Sequence, residues 1–336
     1  MRQLRRRTPV TDDRTAARRV PVLVLVLVFE GVDGLGVSAV ADVLSGANAR
    51  APQGFRYDVR TVSPDGAAVR TSSGLRMLPD HGPGGVTGVD TVDTLVVPGA
   101  DGIPPAGPET VRALLRAADG ARRVASVGTG AFLLAEAGLL HGRTAATHWA
   151  FAEELAHRFP DITVDPRHTV VKDDRVTTAG GGGSALDLAL SLVREDLGHE
   201  VARRTAASLA TSPRTPGGQA QFAVPRVREA RNPALRAVQR QVLDDPGGDW
   251  SLPSFARRAG LSERQISRLF RAQAGMTARE YVERVRVSFA SRRLLETARS
   301  PEAVARESGF GTEAAMRGSF LRVLQVSPVE FRNRFS

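Results

Sequence analysis

Between residue 20 and about residue 212, short apolar runs alternate with longer amphipathic stretches. PVLVLVLVF (21–29), RYDVRTV (56–62), TLVVP (94–98), RVASV (123–127) and residues 175–178 read as strands. Segments 37–48, 108–119, 130–138, 149–158 and 184–197 read as helices. The first strand is apolar at every position, as expected of a strand buried on both faces of a parallel sheet. It is too short to span a bilayer, and although arginines precede it as in a signal peptide, it reads as a strand. The βαβα rhythm predicts a parallel sheet flanked by helices, with ligands beyond the carboxyl ends of the strands. VVPGADG (96–102) and SVGTGA (126–131) fall at such ends.

After Asn232 the pattern is helical throughout, with Leu, Val, Phe and Ala at three- and four-residue spacing. Residues 212–232 (SPRTPGGQAQFAVPRVREARN) are rich in Pro, Gly and Gln and read as a joint. The expected organisation is a disordered basic tail over 1–19, an α/β domain over 20–212, a linker over 213–232 and an all-α domain over 233–336.

The all-α part contains a repeat. ARRAGLSERQISRLFRAQAGMTAREY (256–281) resembles ARESGFGTEAAMRGSFLRVLQVSPVEF (305–331). Ala256, Gly260 and Leu261 match Ala305, Gly309 and Phe310 at an offset of 49. Phe270, Thr277, Glu280 and Tyr281 match Phe320, Ser327, Glu330 and Phe331 at an offset of 50, so one residue is inserted after the turn. Each unit reads helix, tight turn, helix. Gly260 suits a left-handed C-cap. Ser262 with Gln265, Thr277 with Glu280, and Ser327 with Glu330 are capping-box pairs. Ile266, Leu269 and Phe270 bury the second helix, which leaves Arg264, Ser267, Arg268 and Arg271 outward. Such a helix can enter a major groove, where the planar fork of arginine bonds guanine O6 and N7 together. Two units on one chain could read successive grooves about 34 Å apart.

Charge sharpens this picture. Residues 226–336 hold 21 Arg and 12 acids, or +9, while residues 20–212 hold 17 basic and 22 acidic residues, or −5. An arginine-rich end beside an acidic body points to a polyanion partner. The chain has no cysteine, which excludes disulfides, thiolate metal sites and a thiol nucleophile. The six histidines show no metal-ligand spacing. GGGGS (180–184) lacks the lysine and spacing of a phosphate-binding loop. Neither a cofactor nor a metal is expected.

Residues 233–336 resemble the AraC/XylS family of transcriptional regulators, through LPSFARRAGLSERQISRLFRAQAGMTAREYVERVRV and AVARESGFGTEAAMRGSFLRVLQVSPVEFR. The resemblance implies base contacts from the helix bearing Arg264, Ser267 and Arg268 and from the one bearing Glu313, Ala314 and Arg317. The full candidate DNA-binding set is Arg264, Gln265, Ser267, Arg268, Arg271, Thr312, Glu313, Ala314 and Arg317. Gly318 departs from the family, which has Arg or another large polar residue there, so the first unit is expected to carry most base readout.

Residues 20–212 resemble the class I glutamine amidotransferase-like, or ThiJ/PfpI, family, of flavodoxin-like architecture. The resemblance rests on VVPGADG (96–102), SVGTGAFLLAEAGLLHGRTAATHW (126–149), VTTAGGGGSALDLALSLV (176–193) and SPRTPGGQAQF (212–222). Enzymes of this family carry a cysteine at the strand-to-helix elbow near a histidine. Here the elbow position is Gly128, and His148 stands at the histidine position. Ser126 and Thr129 are displaced from the apex, where a hydroxyl would point elsewhere and would need an aligned base. The expectation is a non-enzymatic domain with a noncovalent ligand pocket bounded by Gly99, Ala100, Asp101, Gly128, Thr129, Gly130 and His148. The alternative for this recess is a decayed pocket serving only dimerisation.

Together these resemblances imply a cytoplasmic, sequence-specific regulator that binds double-stranded promoter DNA as a homodimer, meets RNA polymerase if it is an activator, and answers to a small-metabolite effector. No membrane association is expected. The competing readings are a hydrolase or amidotransferase-like enzyme with a DNA-binding appendage, and an architectural protein without sequence preference.

Overall fold

The computed structural model describes residues 21–82, 92–166, 168–211, 219 and 230–335. The expected basic tail and nearly all of the expected linker lie outside them. The chain divides into two compact units. One comprises residues up to 214 except 148–154 and 164–169, and the second comprises those two short segments and everything from 215 onward.

From residue 21 to residue 208 the order of elements is β1 (Val22–Leu27), α1 (Gly34–Asn48), β2 (Tyr57–Val62), β3 (Val69–Arg70), β4 (Arg76–Met77), β5 (Thr94–Val97), α2 (Pro108–Ala118), β6 (Arg123–Val127), α3 (Gly130–Glu136) and β7 (Thr144–Ala145). Then come α4 (Ala152–Arg158), β8 (Thr163–Val164), β9 (Val170–Asp173), β10 (Val176–Ala179) and α5 (Ser184–Ser208). Six strands form one sheet in the order β2-β1-β5-β6-β10-β9. Its first five strands are parallel, with Val24 opposite both Val59 and Thr94, and Val96 opposite Ala125. Every residue of β1, β5, β6 and β10 is buried, which is why β1 is an unbroken apolar run and the other three carry small or apolar residues without an inside–outside alternation, Arg123 apart.

The parallel sheet expected from the sequence gains one antiparallel edge strand. β9 pairs with β10 through a tight turn whose Asp174 takes a left-handed φ of 55°. Its sequence, VVKD, is only partly buried and gives too short an apolar run to read as a strand. α5 is two helical segments meeting at a kink at Gly198 (φ 85°), the first of which agrees with the helix expected over 184–197.

An ionic cluster, buried at Arg123, Asp93 and Asp196 and open to solvent at Arg122, joins α5 to the amino-terminal edge of the sheet. Asp196 accepts from Arg123 at 2.6 Å, from Arg122 at 2.9 Å and from the Tyr57 hydroxyl at 2.9 Å. Arg122 also forks onto Asp93 at 2.9 and 3.0 Å. Burial, reinforced by the Asp196 charge, pushes the Tyr57 phenol well above its ordinary pKa.

The helical part of the second unit contains α6 (Pro233–Asp244), α7 (Leu252–Ala259), α8 (Glu263–Leu269, continued by a π-turn over Phe270–Ala274), α9 (Ala278–Glu296), α10 (Pro301–Glu307), α11 (Glu313–Val323) and α12 (Pro328–Phe335). It has two cores. Leu235, Val238, Phe255, Ile266, Phe270 and Tyr281 belong to the first, and Val304, Met316, Phe320, Leu324 and Phe331 to the second. α9 serves both, with Val282 and Val285 in the first core and Val287, Ala290 and Leu294 in the second. The repeat seen in the sequence is thus two packed helix-turn-helix units sharing one helix.

Among the described residues, no helix is long and apolar enough to cross a membrane.

Candidate nucleic-acid interface and elbow recess

The first turn, between α7 and α8, closes on Gly260 in the left-handed region (φ 64°), the conformation glycine adopts without Cβ strain. Ser262 then caps α8. Its hydroxyl accepts from the Gln265 amide at 3.3 Å, and its own amide donates back to Gln265 Oε1 at 2.9 Å. The second turn contains the inserted residue. Gly309 (φ 77°) is followed by Phe310 and by Gly311 (φ 74°), after which Thr312 caps α11 by accepting from the Ala315 amide at 3.2 Å. The Gln265 carbonyl oxygen and the Thr312 hydroxyl oxygen, both in the candidate DNA-binding set, are therefore employed in building the helix starts.

The other candidates present themselves outward. Arg264, Arg268, Arg271, Glu313, Ala314 and Arg317 are exposed, and Ser267 is half-buried. Among the described residues, Arg264, Arg268, Arg271 and Arg317 form no ion pair. Arg322, further along α11, is held by Glu283 of α9, with its Nε–H donating at 3.1 Å. A groove of about 960 Å³ runs between α8 and α11. Ser267 and Arg271 line one wall, Ala314 and Gly318 the other, and Arg279 and Arg286 of α9 contribute to it. The sequence reading missed these two α9 arginines. Their signal was the heptad-like return of arginine along 279, 286 and 293.

In the first unit the elbow follows β6. Gly128 takes a φ of 57°, and a methyl group built there would lie 3.5 Å from the Gly180 carbonyl oxygen, an ordinary contact. The elbow has room for a side chain and none is present. Its polar groups turn back onto the chain. The Gly128 amide donates to the carbonyls of Ala179 (2.9 Å) and Gly180 (2.5 Å), and its carbonyl accepts from the Thr147 hydroxyl at 2.9 Å. The Thr129 hydroxyl accepts from the Ala100 amide at 3.0 Å and reaches the Ala100 carbonyl at 3.2 Å. Gly99 and Gly130 are packed so closely that a Cβ on Gly99 would lie 2.8 Å from the Thr129 nitrogen, and one on Gly130 would collide with the Val97 carbonyl.

The fold thus brings together Gly99, Ala100, Gly128, Thr129 and Gly130 at the ends of adjacent β5 and β6. Asp101 is exposed. His148 lies in the 148–154 segment that groups with the second unit. Its Nδ1 accepts from the Ala150 amide at 3.2 Å, and burial holds its pKa below the ordinary histidine value, favouring the neutral ring. Ser126 is wholly buried, and Thr129 is buried and engaged with Ala100. Among the described residues, no group of three His, Asp or Glu side chains could hold a metal ion.

Residues 22–195 match the DJ-1/PfpI family and residues 255–334 match a helix-turn-helix domain. The chain is 30% identical to the HTH-type transcriptional regulator GlxA of Rhizobium meliloti over 63% of its own length, spanning 65% of that relative. It is 32% identical to the HTH-type transcriptional regulator Rv1931c of Mycobacterium tuberculosis, over 74% of this chain and 97% of that protein. An isonitrile hydratase of Pseudomonas putida is 33% identical over 56% of the chain and 78% of the enzyme. The crystal structure of an AraC family transcriptional regulator from Pseudomonas putida superposes with a TM-score of 0.50 and 26% identity, over 56% of this chain and all of that one.

Proposed function

Because this chain belongs to the DJ-1/PfpI family and carries a helix-turn-helix domain behind that fold, we propose that it is a sequence-specific DNA-binding transcriptional regulator. The observation that carries this reading is α8. It is a capped helix behind a left-handed glycine turn, and with the π-turn that continues it presents three outward arginines that have no ion-pair partner among the described residues. Unpaired guanidinium forks on one helix face suit guanine edges and phosphates. A second capped helix behind a glycine turn, α11, follows 50 residues later, with Arg317 as its outward arginine outside an ion pair among the described residues. Arg264, Ser267 and Arg268 read bases from α8, and Arg317 does so from α11, with Arg271 placed for phosphate.

In this reading the α/β unit is a sensor and not a catalyst. An elbow without a nucleophile, whose amide already serves two carbonyls, supports shape recognition over covalent chemistry. Its guest is a small metabolite held noncovalently beside Gly99, Ala100 and Gly128. The enzyme reading takes support from the likeness to the isonitrile hydratase and requires a group at the elbow that this chain lacks. A homodimer would double the DNA contacts and raise affinity through effective concentration.

Genome-wide footprinting of bound fragments tests the reading. A recurring motif is expected, and fragments without one would overturn it. Thermal-shift screening with amino acids, quaternary amines and small lactones tests the sensor. Stabilisation by one class is expected, whereas turnover of an amide or isonitrile by the native chain would restore the enzyme reading.

A further inference from the structure

Arg286 sits in the middle of α9, between the last residue of the first core, Val285, and the first of the second, Val287. It is half-buried and spends its fork on two carbonyls of one loop. Its Nε–H donates to Pro246 at 2.8 Å and its Nη2–H to Gly248 at 3.0 Å. That loop joins α6 to α7 and so belongs to the first helix-turn-helix unit. It is itself tied down by the Trp250 indole, which donates to the Asp245 carbonyl at 2.8 Å.

The same loop presses on the turn of the second unit. A Cβ on Gly309 would lie 2.8 Å from Gly247 Cα, 2.8 Å from the Pro246 carbonyl and 2.9 Å from Arg286 Nε. Gly260, its counterpart in the first unit, has nothing within 4 Å of the same position. Gly260 is therefore needed for its backbone conformation alone, and Gly309 for conformation and clearance together. Three segments meet at Arg286: the α6–α7 loop, the shared helix and the α10–α11 turn. Gly309 approaches the loop closely, and a planar fork fixes direction as well as distance.

We infer that Arg286 is a positioning residue that sets the separation of α8 from α11, and with it the spacing and helical phase of the DNA half-sites the chain accepts. This rests on the DNA-binding reading above. A lysine at 286 keeps the charge but can engage only part of the fork's geometry, and a glutamine removes the charge.

The chain has no cysteine, so the joint can be measured without DNA. Spin labels on Glu263→Cys and Glu313→Cys, both exposed and 50 residues apart, report the distance from α8 to α11 in the full chain. A narrow distribution is expected with Arg286 present and a broader or displaced one in Arg286→Lys and Arg286→Gln. Unchanged distributions in both variants overturn the inference whatever the DNA results.

The second arm measures binding to duplexes whose half-sites are moved apart by one to five base pairs, and to a single half-site. Arg286→Lys should lose about tenfold on the optimally spaced duplex, because rigid linkage supplies effective concentration. It should lose little on the single half-site and should flatten the spacing profile. An equal loss at every spacing and on the single half-site overturns the inference. Absence of sequence-specific binding by the wild-type chain would instead overturn the DNA-binding reading, a result distinct from the label distances.

Discussion

α8 and α11 have the same scaffold and different faces. At an offset of 50, Ile266 and Phe270 correspond to Met316 and Phe320, and all four are fully buried. On the outer face Arg264, Arg268 and Arg271 correspond to Ala314, Gly318 and Leu321. Every outward arginine of the first helix has lost its fork in the second. Arg317, opposite Ser267, and Arg322, bound to Glu283, are the guanidinium groups α11 retains. A helix-turn-helix unit is thus separable into a buried half that makes it fold and an exposed half that lets it read. The second unit keeps the first half in full and little of the other.

The largest expected effect lies on α8. Arg268→Ala should cost about 1–3 kcal/mol on a specific duplex and little on random sequence, with Arg317→Ala costing less on the same duplex. Equal losses for the two variants in competition binding would erase the distinction between the helices. Next comes Gly318→Ala. A mid-helix glycine costs roughly 1 kcal/mol relative to alanine, and the new methyl would meet only the flexible end of Arg322, at 3.4 Å. Chemical denaturation should therefore show stabilisation of about 1 kcal/mol.

A smaller gain is expected at the end of α11. Gln325 holds a left-handed φ of 60° where the first unit has Gly275 at 69°. Gln325→Gly should stabilise by about 0.5 kcal/mol by removing Cβ strain. The smallest effect concerns the cap of α9. The Thr277 amide and hydroxyl donate to Glu280 and hold its carboxyl below its ordinary value of 4.5. A carboxyl depressed in the folded state adds stability above its unfolded value, and that contribution disappears as pH falls through the folded value. Melting curves of wild type and Glu280→Gln should therefore differ at pH 7 and begin to converge only as pH falls below about 4.5.

Much of the fold was legible in the sequence because local rules decided it. The Val/Leu run of β1, the glycine at 260 and the capping pairs at 262, 277 and 327 each carry their physical reason within a few residues. The empty elbow was legible through the family resemblance, which supplies the cysteine that Gly128 replaces. What the sequence hid depends on register between distant segments. β10 lies beside β6 with Val127 opposite Ala179, which delivers the Ala179 and Gly180 carbonyls to the Gly128 amide. The Arg322–Glu283 pair spans 39 residues and the bond from Arg286 to Pro246 spans 40. Nothing in the hydrophobic pattern marks these arginines as different from those that face outward, because arginine is written identically whether its fork ends on water, a carboxylate or a carbonyl. β9 was hidden because its half-exposed residues draw their strand character from β10 and not from themselves.

The two helical cores do not interleave along the chain: residues of the first end at Val285 and those of the second begin at Val287. On the ribosome, the first core has all its parts before the second has been made, and domains emerging in this order fold as units from the amino-terminal side. The half of α9 already docked then offers a preformed helix on which the next residues can extend, sparing them the cost of nucleation. The Gly309 turn arrives after the first core is complete and closes against a loop that already exists, before α11 and α12 finish the second core.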